Sequence, residues 1–458
     1  MTADRHPARQ KEPRIPRWVW AGLVVLHLLA LSWQLRHHTY LFPDSDRYVQ
    51  AARNLREVGV LYALPFQETP LQPQEYSIRP PGYPVFLLLT GGTGSDFPWL
   101  TLLLQNLLSL LNLGLALRWL ARLTGGLPPR QWLAVLLLAA AGPGQFIYAN
   151  VLMSEMLLQT AVVVLWLSLD AFWTTGQKML PLLLAAAATA VALLLKPVFF
   201  PFAGVLVLMS GLAGWRQRRA WLVLAGTVPL LVAGLWMARN EARTGYFHFS
   251  SIAEINLLRY NVRGVLQTTE GPVAAEEFVR GTLAATHGLP TFRAQQQHIQ
   301  QVSIAALARH PVAYAAQHLR GVVTFFLDPG RFDLVHFLDV PQTADQGLLQ
   351  LFNQRSAPAV IHYLHQMPWG VLSSLLLLLL AAAVRLGLII RFCAGHLYAW
   401  PSRLLLLGLV SYVALLTGPL GAARFAVPVL PLLLAAAGAG LSGGPRAVLP
   451  LSPAPKAN

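Results

Sequence analysis

Long apolar runs separated by short polar breaks recur along the whole chain, and they constrain its fold more than any other feature. A helix that crosses a bilayer needs about 20 mostly apolar residues. Ten windows qualify: Arg17–Leu35, Trp99–Leu120, Gln131–Tyr148, Glu155–Trp173, Met179–Leu195, Val198–Gly214, Ala220–Ala238, Trp369–Ile390, Leu404–Gly418 and Phe425–Leu441. They predict an all-α polytopic membrane protein built as a bundle of about ten transmembrane helices. The stretch Pro84–Thr90 is too brief to cross and reads as a re-entrant or interfacial helix.

Charge then assigns sides. The 458 residues carry 34 Lys+Arg against 19 Asp+Glu, a net of +15, yet only 12% are charged and 55% are hydrophobic. A soluble polyanion binder needs a charged surface that this composition cannot build, so no nucleic-acid partner is expected. Disorder is excluded too, because it requires low hydrophobicity. The single cysteine, Cys393, rules out a disulfide framework and any Cys-based metal cluster. Basic residues cluster before the first window (Arg5, Arg9, Lys11, Arg14, Arg17), after the second (Arg118, Arg122, Arg130) and after the sixth (Arg216, Arg218, Arg219). With ten spans these fall on one side, which the positive-inside rule makes the cytoplasm, with both termini inside an inner or plasma membrane. The cytoplasmic segments then hold 17 Lys+Arg and 3 acids, and the outer segments 17 and 16. The first apolar run is expected to remain as a span, because it is too long for a cleavable signal.

The expected organisation is a basic tail (1–16), an N-terminal transmembrane catalytic module (17–238) with a first outer loop (36–83), an extracytoplasmic loop or subdomain (239–368), C-terminal helices (369–441) and a tail (442–458). The large outer segment alternates polar helical stretches, Ala274–Ala285 and Arg293–Arg309, with turn signals such as Asp328-Pro329-Gly330.

The first outer loop is the richest in chemistry. It opens with Pro43-Asp44-Ser45-Asp46-Arg47-Tyr48 and an amphipathic run, Val49–Val58, and closes with Arg79-Pro80-Pro81-Gly82-Tyr83-Pro84. A carboxylate at the lipid boundary suits a general base, and an arginine on a proline-stiffened turn suits a phosphate. Equally open on spacing alone, Asp44 or Asp46 caps the next helix and Arg79 snorkels. Glu155 opens the fourth span behind Ser154, where a favourable helix dipole competes with a functional role. Lys196-Pro197, Arg239-Asn240 and Arg424 are outward cations that call for a partner, an anionic lipid phosphate among them. Asp44-Ser45-Asp46 is also a D-x-D triplet, which leaves a divalent cation open without making any metal certain. His37-His38 and His362-x-x-His365 lack the further ligands of a zinc site. No nucleotide-binding Gly-rich loop, Ser-His-Asp arrangement or nucleophilic Cys is seen.

These pieces, in this order, resemble the membrane glycosyltransferases of the GT-C fold, in particular the bacterial branch related to protein O-mannosyltransferases and lipid A aminoarabinose transferases. The resemblance rests on the acidic pair with Tyr48 and Ala51, the loop end from Arg79 to Pro84, Ser154-Glu155, Lys196-Pro197, Trp236-x-x-Arg239-Asn240 and Arg424-x-x-x-Pro428-x-x-Pro431. It implies transfer of a sugar from a polyprenyl-phosphate donor to an extracytoplasmic acceptor. By position, Asp44 would be the general base of an inverting reaction and Glu155 a second acid lining the acceptor side. Arg79, with Lys196, Arg239 and Arg424, would hold the donor phosphate, and Tyr48, Tyr83 and Asp46 would contribute to binding. Asp46 departs from the commoner pattern, in which the two acids adjoin. The alternatives are a transporter or lipid flippase, which would carry ionisable residues at mid-membrane in broken helices, and a non-catalytic assembly partner.

Overall fold

Segments so apolar have no polar face to offer water, and as helices they satisfy their own backbone groups, the condition for lying in a bilayer. The computed structural model describes residues 13–442 except 68–69, 95, 175, 177, 341–357, 359–360, 362–364, 366 and 396–397. Among the described residues every regular element is a helix. The expected tails, and His362 of the expected histidine pair, lie largely or wholly outside the described residues.

The first part of the chain forms α1 (Arg17–His37), α2 (Ser45–Val58), α3 (Gly82–Thr90), α4 (Trp99–Thr124), α5 (Pro129–Ala140), α6 (Gly144–Ile147), α7 (Glu155–Thr174), α8 (Met179–Leu195), α9 (Phe200–Gln217) and α10 (Ala220–Thr244). Then come α11 (Ile252–Asn256), α12 (Arg263–Thr269), α13 (Pro272–Thr286), α14 (Phe292–Arg309), α15 (Pro311–Leu327) and α16 (Arg331–Phe337). The chain ends in α17 (Trp369–Ala394), α18 (Trp400–Leu416), the single turn α19 (Ala423–Ala426) and α20 (Leu430–Leu441).

Among the described residues seven helical segments are long and apolar enough to cross a membrane: Arg17–His37, Trp99–Thr124, Glu155–Thr174, Pro197–Gln217, Ala220–Thr244, Trp369–Ala394 and Ala423–Leu441. Met179–Leu195 and Trp400–Leu416 are apolar but shorter. The third expected window is not one helix. It breaks between α5 and α6 at Gly142-Pro143, because proline lacks the N–H that would continue the ladder and disfavours helix at the residue before it. The brief Pro84–Thr90 stretch is helical, within the nine residues of α3.

α7 packs against α8, α8 and α9 against α10, and α4 against α7 and α20, while α17 covers α20. α20 is buried from Leu430 through Gly440, and its small residues let neighbours approach closely. Lipid tails are as apolar as leucine, so apolar area alone does little to join such helices, and interhelical hydrogen bonds add about 0.6–2 kcal/mol each. One such network is fully internal. Gln145 and Gln159 exchange amide hydrogen bonds, both at 2.9 Å, and Gln159 also donates to the Val427 carbonyl at 2.6 Å. Ser109 joins it to His27 at 2.7 Å. The network ties α1, α4 and α7 to the two places where the helices break, α6 and the turns after α19.

Between α10 and α17 the chain builds a second small core of Leu258, Val262, Val265, Leu266, Ala275, Val279, Ile299, Ala306 and Leu307. The expected polar helices there are α13 and α14.

Candidate active site

α1 ends at His37, and the chain turns at Phe42–Ser45, where the Ser45 hydroxyl accepts from the Phe42 N–H at 2.8 Å. This turn starts α2 and delivers Asp44 to its N-terminus. Asp44 is at the N-cap position but makes no side-chain capping bond. Its carboxylate is engaged elsewhere: Oδ1 accepts from Arg79 Nη2 at 2.6 Å and Oδ2 from Arg424 Nη2 at 2.8 Å.

Arg79 is presented by the Arg79-Pro80-Pro81-Gly82 turn. A Cβ at Gly82 would lie 2.8 Å from the Leu194 carbonyl, so only glycine lets this turn sit against the end of α8. The buried guanidinium lies 4.9 Å from the Tyr48 ring centroid, over a side chain that α2 turns inward. Tyr48 meets Tyr83 edge-on at 5.1 Å, and Tyr83 donates to Gln105 at 2.8 Å, so the two tyrosines form the wall behind the arginine.

The second acid arrives from α7. Glu155 is 1% exposed, and its Oε1 accepts from Lys196 Nζ at 2.7 Å. Lys196 caps the end of α8 in extended conformation, as a residue before proline prefers, and this directs its side chain across to α7. Arg424 Nε lies 4.0 Å from the same Glu155 oxygen, so this guanidinium bridges both acids. Arg79 Nε, Arg424 Nε and Glu155 Oε2 are buried with no hydrogen-bond partner among the described residues. Such atoms are costly unless something else pairs with them.

Three cations thus surround two carboxylates, and the cluster keeps one net positive charge. Asp44 and Arg424 are each 26% exposed at their side chains, so the group is reachable from one side. Burial alone would raise the Asp44 pKa. The charges of Arg79 and Arg424, with Lys196 behind them, outweigh it and hold the carboxyl well below the usual range.

The other expected residues are placed differently. Asp46 is exposed on the first turn of α2 and forms no ion pair among the described residues. Arg239 donates to the Tyr76 carbonyl at 2.5 Å and the Leu61 carbonyl at 3.0 Å, and stacks over Trp236. Trp236 and Asn240 likewise bond backbone carbonyls of residues 248–249. This motif therefore fastens the first loop and the chain after α10, rather than adding a charge to the cluster. Among the described residues no group of three or more His, Cys, Asp or Glu comes together to hold a metal, and both Asp44 oxygens already accept from guanidinium groups.

Two participants carried no signal in the sequence. Tyr148 donates to Asp333 Oδ1 at 3.0 Å, and α16 buries that aspartate beneath the cluster. Burial is the largest influence on Asp333 and pushes its pKa up to about 7, against the Tyr148 hydrogen bond and the charge of Arg424. An aspartate on the first turn of a short helix in the large outer segment looks like a surface residue until the fold is known.

The fold and site together define an all-helical integral membrane protein with a net-positive ion cluster at one end of its bundle. No protein-family model matches the chain, and no curated protein matches it. Among solved structures it is similar to ArnT from Cupriavidus metallidurans bound to undecaprenyl phosphate, at 17% identity and a TM-score of 0.39 over 93% of this chain and 77% of that one. The apo state of the same protein gives 16% identity and a TM-score of 0.40 over the same shares. The arabinosyltransferase EmbB from Mycobacterium smegmatis gives 14% identity and a TM-score of 0.32, over 87% of this chain and 44% of that one. At such TM-scores these likenesses establish neither fold nor activity, and the functional reading rests on the ion cluster.

Proposed function

We propose that the chain is a membrane glycosyltransferase that moves a sugar from a polyprenyl-phosphate carrier to an acceptor on the extracytoplasmic face, with inversion at the anomeric carbon. The observation that carries this reading is the Asp44–Arg79–Arg424–Glu155–Lys196 cluster, a net-positive site with one reachable acid. A lipid-phosphate sugar brings its own leaving group, so the protein needs only to position it and neutralise the departing charge.

In this reading the donor phosphate takes up Arg79 and Arg424, whose Nε groups have no hydrogen-bond partner among the described residues. That exchange also activates the base. A carboxylate held by two arginines is a weak proton acceptor, and a phosphate that draws those arginines away restores its basicity. Asp44 then takes the proton of the acceptor hydroxyl or amine while the acceptor atom attacks the anomeric carbon. The bond from that carbon to the phosphate oxygen breaks, and its electron pair stays on the phosphate. Lys196 holds Glu155 in place on the acceptor side. The isoprenoid tail lies in lipid against the helices, and the acceptor is a lipid, glycan or protein of the cell envelope.

The test is transfer from a defined polyprenyl-phosphate sugar by purified protein and its Asp44→Asn variant. The variant is expected to insert and fold normally and to lose about 10²–10⁴-fold in rate. Full activity would remove Asp44 as the base. Lipid flux in proteoliposomes without any sugar transfer would favour the flippase reading instead.

A further inference from the structure

Arg424 stands on weak local structure. It belongs to a single helical turn between two short 3-10 segments, Gly418–Leu420 and Val427–Val429, so little regular ladder fixes its direction. Its support comes from far away in sequence. Asp328, in the turn between α15 and α16, accepts from the Ala423 N–H at 2.7 Å through Oδ2, one residue before Arg424. Its Oδ1 accepts from the Gly330 N–H at 2.9 Å. Forming the local turn needs only that second bond. The first satisfies an otherwise orphan N–H at the start of α19.

The contact is reinforced by close backbone approach. A Cβ at Gly421, which has φ +41, would strike the Gly321 carbonyl of α15, and one at Gly321 would strike the Gly418 carbonyl. The same hairpin also reaches the chain leading to Asp44. His336 of α16 bonds the Leu41 carbonyl at 2.9 Å, and the Phe337 carbonyl accepts from Thr39 and Trp33, both at 2.9 Å. One brace thus holds both ends of the Asp44–Arg424 pair.

We propose that Asp328 is a positioning residue for Arg424, and that through it the α15–α16 hairpin sets the geometry of the anion site. The phosphate part of this inference rests on the function proposed above.

The experiment uses full-length protein in detergent or nanodiscs, with two readouts. The first is affinity for farnesyl phosphate, a short prenyl monophosphate. Asp328→Ala is expected to weaken it about tenfold, as loss of one charge-assisted contact would. Combining it with Arg424→Ala should add nothing further, because both changes remove the same interaction. Asp328→Asn, which keeps one carbonyl acceptor, should restore part of the loss and serves as the probe if the alanine variant does not fold. The second readout needs no ligand. Carbodiimide labelling of Asp44 at about pH 5 reports its protonated fraction, which should rise about tenfold per unit of pKa once Arg424 is displaced.

Wild-type affinity and labelling in both Asp328 variants would overturn the proposal, as would additive losses with Arg424→Ala. If the wild-type protein fails to bind farnesyl phosphate while Asp328→Ala still raises Asp44 labelling, the phosphate reading falls and the positioning role stands.

Discussion

Arg424 donates through Nη2 to Oδ2 of Asp44 over 2.8 Å, although 380 positions separate the two residues. The contact closes the bundle, because the N-terminal loop and the last helical segment meet there. It also explains why Asp44 does not cap α2 although it stands at the cap position. A guanidinium adds the attraction of a full opposite charge to the hydrogen bond, which a neutral backbone N–H does not.

Arg79 and Arg424 hold opposite oxygens of one carboxylate, so their loss should have two consequences at once. Arg79→Ala and Arg424→Ala are each expected to weaken prenyl-phosphate binding by about tenfold to a hundredfold, the scale of charge-assisted hydrogen bonds. Each should also raise the pKa of Asp44. Calorimetric titration with a prenyl phosphate checks the first, and infrared titration of the carboxyl band checks the second.

Lys196 pairs with a glutamate that is 1% exposed. Removing one partner of a buried pair leaves an uncompensated charge, at about 3–5 kcal/mol. Lys196→Met is therefore expected to lower thermal stability markedly, even with Arg424 nearby. Lys196→Met combined with Glu155→Gln should recover much of it while remaining impaired in transfer. Equal stability of the single and double variants would contradict the pairing.

Asp333 supplies the pH dependence. Its pKa lies at about 7, against an ordinary 3.8, because burial disfavours the charged form. A raised acid binds its proton more tightly in the folded state, so this contribution favours folding most at low pH. Stability is lost as pH rises from about 4 towards 7, and the loss is complete above 7. Asp333→Asn should flatten the melting temperature across that window. It should also flatten anion affinity, since an ionised Asp333 opposes an anion near Arg424. An unchanged slope in the variant would assign the effect elsewhere.

Asp46 makes the opposite case. It is exposed and takes no part in the ion cluster. Asp46→Asn is expected to keep transfer within about twofold of wild type, as surface substitutions generally do. A loss comparable to that of Asp44→Asn would bring back the D-x-D reading, and chelator sensitivity would strengthen it.

Gly421→Ala tests the brace physically. The added methyl would meet the Gly321 backbone in a left-handed conformation, so the turn has to shift rather than absorb it. The expected cost is about 1–3 kcal/mol, read as a lower melting temperature. Reduced prenyl-phosphate affinity in the same variant would link that shift to Arg424.

Helix and its apolar extent were legible in the sequence because they are local properties. Most of the apolar runs form a helix whatever their neighbours, and Pro197 divides the fifth and sixth windows by removing an N–H, whereas the break at Pro143 inside the third window was not anticipated. The cluster members Asp44, Arg79, Glu155, Lys196 and Arg424 stood out for a related reason. Each is a charge at the edge of an apolar run, where charge is costly and needs a partner. Which charges would pair was not local. Arg239 matched the same pattern, yet the fold gives its guanidinium two backbone carbonyls of the first loop. Asp333 and Asp328 sat in a polar segment where nothing sets one acid apart from the next, and only the docking of α15 and α16 buries one and turns the other onto the N–H of Ala423. Composition and periodicity determined an apolar helical bundle with its charges at the edges of the apolar runs. The tertiary structure decided how those charges neutralise one another, because pairing depends on distances of 2.6–2.8 Å between residues as much as 380 positions apart.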